Sequence, residues 1–316
     1  MISADNRQWA SGRLVFETAR QRPWMVSHGC TPTAIVLKDR FRVLFAPRNE
    51  AGRSIPSYVD LALDDPSRTL AIGDRPIMEL GELGTFDDGG IMPCSIVRAD
   101  DGRIFLYYVG WNASVTVPYR NAIGVAISED DGKTFNRIFP GAIVDRNRAE
   151  PYFTASPCVF RTKSKWHLWY ASTIRFEVYD GRAEPVYILR HATSSNGLDW
   201  SREETPVLPQ RHPSEAQAKP SVIDAEDGLL KMWYCYRDNE DFRDGAGSYR
   251  LGLAHSTDDG LSWTRIDGEV GPPRGDYDGA MQCYPNVVKC DEKLHLFYNG
   301  DSFGKMGILY SSCAVE

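Results

Sequence analysis

The chain has no apolar run approaching the ~20 residues that a membrane-spanning helix requires, so no transmembrane span is expected. It also lacks a basic excess: 36 Lys and Arg stand against 43 Asp and Glu in 316 residues, a formal charge of −7. A protein that grips a phosphate backbone needs a basic face, so nucleic acid is not expected as a partner. Met1 to Arg7 lack the basic-then-apolar order of a secretory leader, which leads to the expectation of a cytoplasmic protein. The seven cysteines form no CxxC pair and no Cys/His group of zinc spacing. Cys94, Cys158 and Cys235 fall inside apolar, strand-like runs, so they read as small buried hydrophobes rather than redox groups. No EF-hand-like loop is present, and neither metal nor cofactor is expected. No apolar stripe of helical period extends beyond about two turns, which disfavours a helical fold. What remains is 42 % hydrophobic and 25 % charged, an ordinary globular composition that excludes a mostly disordered or fibrous chain.

The main positive signal is a repeat. Five segments share one order: a small or polar residue, a proline, a short apolar run, a turn and an apolar-aromatic run. Their prolines are Pro32, Pro93, Pro157, Pro220 and Pro285, at nearly equal steps along the chain. Each segment reads as a β-hairpin, with turns such as Asp100-Asp101-Gly102 and second strands carrying Tyr107, Tyr170, Tyr234 and Tyr298. A third strand-like run follows in four units, over residues 122–128, 186–193, 249–256 and 306–312.

After three of the third strands comes a common turn: SEDDGKTF from Ser128, TSSNGLDW from Thr193 and STDDGLSW from Ser256. Its glycines, Gly132, Gly197 and Gly260, recur in phase with the prolines. The pattern resembles the Asp-box turn of β-propeller glycosidases. Asp and Ser side chains close such a turn on backbone amides, Gly supplies positive φ, and the aromatic packs beneath. In the second copy Ser195 stands where the Asp is expected. Five units of three strands plus an outer strand describe an all-β, five-bladed β-propeller with four-stranded antiparallel blades. Residues 1–316 then form one domain, with the stretch from Trp9 to Phe16 supplying the outer strand of the last blade and closing the ring.

In a propeller the innermost strands surround an axial channel, and loops at one end of them converge on a pocket. Taking the proline-bearing strands as innermost, the stretches just before them should line the mouth. They offer His28, Asp87, Asp88, Glu150, Tyr152, Glu215, Lys219, Asp278, Gln282 and Tyr284. Loops after the second strands add Arg48, Trp111 and Arg237. Carboxylates for proton transfer, polar groups for hydroxyls and aromatic faces for C–H surfaces are what a sugar site uses. Arg237 and Arg243 suit a planar anion such as a uronic or sialic carboxylate, or else a salt bridge to Asp238, Asp241 or Asp244. His191 and His255, late in third strands, read as packing residues.

The five-fold pattern resembles the five-bladed β-propeller glycosidase superfamily, which includes glycoside hydrolase families 43, 32 and 130. The resemblance implies a hydrolase of carbohydrate metabolism that cleaves or transfers a glycosidic bond of a small glycan or sugar conjugate. It implies an Asp base or nucleophile and a Glu acid in the central funnel. The Asp that family 43 places close before the first-blade proline is missing: Thr31 precedes Pro32, and the equivalents are Met92, Ser156, Lys219 and Tyr284. Catalysis would then fall to Glu150 or Glu215 as acid and Asp88 or Asp278 as base or nucleophile, with His28, Arg48, Asp87, Trp111, Tyr152, Lys219, Arg237, Gln282 and Tyr284 binding substrate. Three alternatives stand beside this reading. One is a non-catalytic carbohydrate-binding propeller. A second is a calcium-dependent hydrolase of nucleotides or sugar nucleotides. The third is a sialidase-like enzyme with an arginine cluster and a tyrosine nucleophile, against which the five-fold count argues.

Overall fold

Short β-branched and aromatic runs, interrupted every few residues by Gly, Asp or Pro, give the chain many strands and almost no helix. A computed structural model describes residues 8–162, 165–225, 228–266, 268 and 270–315. The Met1–Arg7 segment read above for a leader lies outside them. The first strand, β1 (Arg13–Glu17), is followed by the first blade: β2 (Ser27–Val36), β3 (Arg40–Arg48), β4 (Ser57–Ala62) and β5 (Thr69–Ile72). Blade two holds β6 (Gly90–Arg98), β7 (Ile104–Ala113), β8 (Tyr119–Ser128) and β9 (Asn136–Arg137). Blade three holds β10 (Thr154–Arg161), β11 (Trp166–Tyr179), β12 (Arg182–Ser194) and β13 (Ser201–Arg202). Blade four holds β14 (Ala216–Asp224), β15 (Leu230–Arg237), β16 (Arg250–Ser256) and β17 (Thr264–Ile266). The last blade has β18 (Cys283–Cys290), β19 (Lys293–Asn299) and β20 (Gly307–Ala314), with β1 paired antiparallel to β20 as its outer strand. The chain is therefore a five-bladed β-propeller closed by its N-terminal strand.

The proline-bearing strands β2, β6, β10, β14 and β18 are innermost, each against the next around the ring. All five carry a β-bulge at or beside the proline. In four of them the residue before the proline has positive φ: Thr31 (52°), Ser156 (51°), Lys219 (50°) and Tyr284 (54°). A bulge adds a residue and re-aims the strand.

Successive blades bury apolar faces on one another at every interface. Leu44 of the first blade packs with Leu106 and Tyr108 of the second, and Tyr107 with Leu168 and Ala192 of the third. Trp169 meets Met232 and Ala254, Trp233 meets Leu296 and Leu309, and Phe297 and Ile308 return to Phe41 and Phe45.

The Asp-box turns are clamps between blades. Ser256 Oγ accepts the amides of Asp258 and Gly260, while Asp258 accepts from Ser262. The Trp169 indole of blade three then donates to the Gly260 carbonyl of blade four. Tyr107 of blade two does the same to Gly197 of blade three, and Arg42 of blade one to Asp131 of blade two. In the middle copy, Asn196, not Ser195, supplies the acceptor. Its Oδ1 takes the amides of Leu198 and Asp199, in a turn one residue tighter between Ser194 and Gly197.

Candidate functional site at the propeller axis

The carboxylates expected to face one another across the funnel are committed elsewhere. Glu150 is 3 % exposed; it accepts from the Tyr170 hydroxyl and pairs with Arg202 Nη1 at 2.6 Å, with Arg190 at 3.6 Å. Asp87, fully buried, accepts from the Tyr108 hydroxyl at 3.0 Å and from Arg137 Nε at 2.8 Å. Glu215 accepts from Gln217 and the Arg211 amide and is paired with Arg265. Asp278 accepts from Tyr298, Gln282 and the Gly275 amide. The partners lie on the strands of the same blade or on the loop entering it. These acids therefore brace the blade that they precede and do not line the axial cavity. Asp88 accepts the Gly84 amide at 2.8 Å and closes a loop beside blade two, also off the cavity. The expected assignment of Asp88, Glu150, Glu215 and Asp278 as a catalytic set, and of Asp87 and Gln282 as substrate ligands, does not match this placement.

The cavity itself, about 280 Å³, lies on the axis, since it is lined by inner-strand residues of all five blades: Thr31, Met92, Ser156, Ala218 and Tyr284 among them. Its wall is completed by Arg48 at the end of β3, Trp111 on β7, Tyr119 and Asn121 on β8, Tyr187 on β12 and Arg237 at the end of β15. Phe242 and Arg243 come from the loop after β15, Tyr249 stands just before β16, and Phe303 lies in the turn after β19. Among the described residues, three arginines and four tyrosines line this cavity, and no Asp or Glu does. Of the expected ligands, Arg48, Trp111, Arg237 and Tyr284 are there. His28 is not among the lining residues; it bonds Ser27 beside Arg48. Tyr152 packs its edge on Phe176 away from the cavity. Lys219 is fully buried, with its ammonium on the Cys94 carbonyl at 2.9 Å.

Arg237 is the centre of the site. It is 2 % exposed, and its fork donates to Asn239 Oδ1 and to the carbonyls of Asp238 and Pro185. Its Nε reaches the hydroxyls of Tyr187 and Tyr249, each at 3.3 Å, and its carbon lies 3.8 Å from the Phe242 ring centre. Every one of these partners is neutral. The salt bridge to Asp238, Asp241 or Asp244 that the sequence allowed is not formed. Arg243 pairs with Glu184 at 2.9 Å, and no carboxylate pairs with Arg48 among the described residues. A buried guanidinium without a counter-charge carries an electrostatic cost that an anion entering the cavity removes.

Burial also decides which groups are ionised. It lifts the phenols of Tyr249 and Tyr284 well above their ordinary range, so both are neutral donors. It pushes the thiols of Cys30 and Cys94 up to about 11, which leaves them protonated and poor nucleophiles at neutral pH. His28 is drawn down to about 4 by burial and by the charges of Arg48 and Lys305, so it is a neutral imidazole.

Tyr119, Asn121, Ser156, Tyr187, Phe242, Tyr249 and Phe303 were not singled out from sequence. Tyr187 and Tyr249 stand at matching places in successive blades, a periodic signal that was there to read. Phe303 sits in a left-handed turn with no counterpart in the repeat.

The chain matches no family model. It is 31 % identical over 303 residues to two proteins of Mycobacterium tuberculosis, the uncharacterized protein MT1551 of strain CDC 1551 and the uncharacterized protein Rv1502 of strain H37Rv. The match spans 95 % of this chain and 97 % of theirs. Among solved structures, BT0996 in its RGII complex superposes with a TM-score of 0.73 at 15 % identity, over 97 % of this chain and 91 % of that one. A structure from work on β-1,2-mannoside hydrolases within glycoside hydrolase family 130 gives 0.71 at 13 %, over 98 % and 94 %. A glycosyl hydrolase of Bacteroides ovatus gives 0.69 at 16 %, over 94 % and 90 %. At these identities the structural likeness is one of fold. The chain belongs to the family of the mycobacterial proteins MT1551 and Rv1502, and its fold is the five-bladed propeller shared with glycoside hydrolases.

Proposed function

We propose that this protein is a glycan-active propeller whose axial cavity holds a sugar residue by an anionic group, a carboxylate or phosphate. The observation that carries the reading is the lining: Arg48, Arg237 and Arg243 converge with four tyrosines, no Asp or Glu among the described residues lines the cavity, and only Arg243 has a carboxylate partner, Glu184 behind it. Guanidinium forks match planar anions, Tyr and Asn serve hydroxyls, and Trp111 supplies an apolar face. A cavity of about 280 Å³ has room for about one sugar ring, at the lower end of ligand pockets.

A two-carboxylate glycosidase mechanism needs a pair of acids across the bond, and the cavity offers none. A hydrolytic reading is favoured in one form only. Tyr187 and Tyr249 hold their hydroxyls together beside Arg237 at the cavity wall, so a phenol is the group placed to donate a proton.

Calorimetric titration with glucuronic and galacturonic acids and with glucose and galactose tests the binding reading. The acids bind and the neutral sugars bind at least ten-fold more weakly. Arg48→Ala and Arg237→Lys each weaken acid binding roughly 10-fold or more, the size of a charge-assisted bond. Arg48 is exposed, so its removal leaves folding intact. Equal binding of neutral and acidic sugars, or acid binding indifferent to both substitutions, overturns the proposal. Turnover of an aryl glucuronide or galacturonide that is lost in Tyr187→Phe and kept in Glu150→Gln identifies the phenol route.

A further inference from the structure

Asn121, which lines the axial cavity, also lines a neighbouring space. This second concavity, of about 740 Å³, lies over blade two. Its lining includes Phe86, Asn112, Val115, Arg120 and Arg146. Phe86 stacks on Tyr108 by one face. Asn112 donates to the Thr85 carbonyl and ties the β7–β8 hairpin to the loop that carries Phe86. Val115 stands fully exposed at the tip of that hairpin, as a raised rim. Arg120 forms no ion pair among the described residues, and Arg146 reaches Asp145 only at 3.8 Å.

Asn121 stands where the two spaces meet. Its side-chain oxygen is buried and accepts no hydrogen bond from the protein. An orphaned buried acceptor is costly, and the groups that relieve it are donors arriving from outside. A sugar hydroxyl at the junction is such a donor. The axial cavity has room for about one ring, whereas the groove offers space for more, with an aromatic edge and cationic side chains along it.

We infer that the blade-two groove is a second sugar-binding subsite continuous with the axial one, so that the ligand is an acidic oligosaccharide rather than a monosaccharide. Its anionic residue sits against Arg237, the linkage passes Asn121, and the following residue lies between Phe86 and Arg120. This rests on the anionic-sugar reading above.

The probes are galacturonic acid with its dimer and trimer, and glucuronic acid with glucuronate-capped xylobiose and xylotriose. Affinities are measured by calorimetry on the full chain. In the unsubstituted protein at least one series gains ten-fold or more from one residue to two. The readout in each variant is the ratio of oligomer to monomer affinity. Arg120→Ala and Asn121→Ala each bring that ratio below three. Thermal melts confirm that the variants fold, and Arg120, at the surface, is the safer of the two. Monomers that bind as tightly as every oligomer, or a ratio preserved in both variants, overturn the second subsite and leave the axial reading standing. Failure of all acidic monomers and oligomers to bind overturns both.

Discussion

The Tyr170 hydroxyl lies 3.0 Å from one carboxylate oxygen of Glu150 and 3.2 Å from the other. The same pairing recurs as Tyr108 on Asp87 and Tyr298 on Asp278. Asp87, Glu150, Glu215 and Asp278 follow one another at the interval of the prolines, so they are copies of one position in the repeat. Blade one supplies the control. Phe45 is the first-blade counterpart of Tyr108, and Met25 stands near the acid's phase. Both are buried in one apolar cluster. Acid and hydroxyl are lost together there, as expected of a device that holds a blade and not of a group that faces substrate.

Glu150→Gln therefore lowers stability without touching the cavity. Removing one partner of a buried pair leaves Arg202 and Arg190 short of their counter-charge, a cost of about 3 kcal/mol. Urea unfolding should show that loss, while the folded protein keeps its affinity for acidic sugars. Wild-type stability combined with lost binding would reverse the assignment.

Gly12→Ala should open the ring at its seam. A Cβ at Gly12 runs into the Tyr298 hydroxyl, which is bonded to Asp278 at 2.7 Å. Among the described residues, no arginine pairs with the acid of the last blade, Asp278. The N-terminal chain passes over that pair instead, and it can do so because residue 12 has no side chain. Overpacking of this kind costs about 1–3 kcal/mol. A lowered melting temperature, with faster proteolysis at the N-terminus, is the expected result. An unchanged melting curve would show that the closing strand shifts freely.

The fold was legible because its cause is local and repeated. Each proline, turn glycine and aromatic strand obeys a rule of short range, and five copies remove the ambiguity of one. The lining was half legible. Arg48, Trp111 and Arg237 recur at a constant phase, within the ends of the second strands rather than in the loops after them, and all three line the axial cavity. The acids misled because an Asp or Glu at a loop reads the same whether it faces a ligand or an arginine. The arginines concerned, Arg137, Arg202 and Arg265, lie most of a repeat further along the chain, at or beside the outer strands. They recur at the same interval as the acids they hold, and that shared interval was the overlooked clue.

Ser256→Ala tests the Asp-box turns as clamps. The substitution leaves the amides of Asp258 and Gly260 without their acceptor, and the Gly260 end is buried against Trp169. A loss of roughly 1–3 kcal/mol follows from an unsatisfied buried donor. Ser194→Ala should cost a similar amount, because Asn196 and Gly197 depend on Ser194 in the same way. Sugar affinity should be unchanged in both. A shift in affinity, at constant stability, would mean that these turns reach the site.

Stability should fall as the pH drops from about 6.5 toward 5, and part of that slope belongs to His28. Burial and the neighbouring charges of Arg48 and Lys305 hold its folded pKa at about 4, against 6.5 for a free imidazole. His191, buried beside His167, is also drawn down to about 4. The unfolded chain therefore takes up these protons first. Above 6.5 neither state is charged and there is no effect. Between 6.5 and 4 protonation favours unfolding, and below 4 the effect levels off. His28→Asn suits the test, since Asn tolerates the φ of 63° found there. Urea midpoints measured at about pH 7, 6 and 5 should decline less steeply in this variant, with a residual slope left to His191 and to His167, His255 and His295, which burial also draws down. Parallel declines in variant and wild type would show that burial and the neighbouring charges do not hold the His28 imidazole neutral.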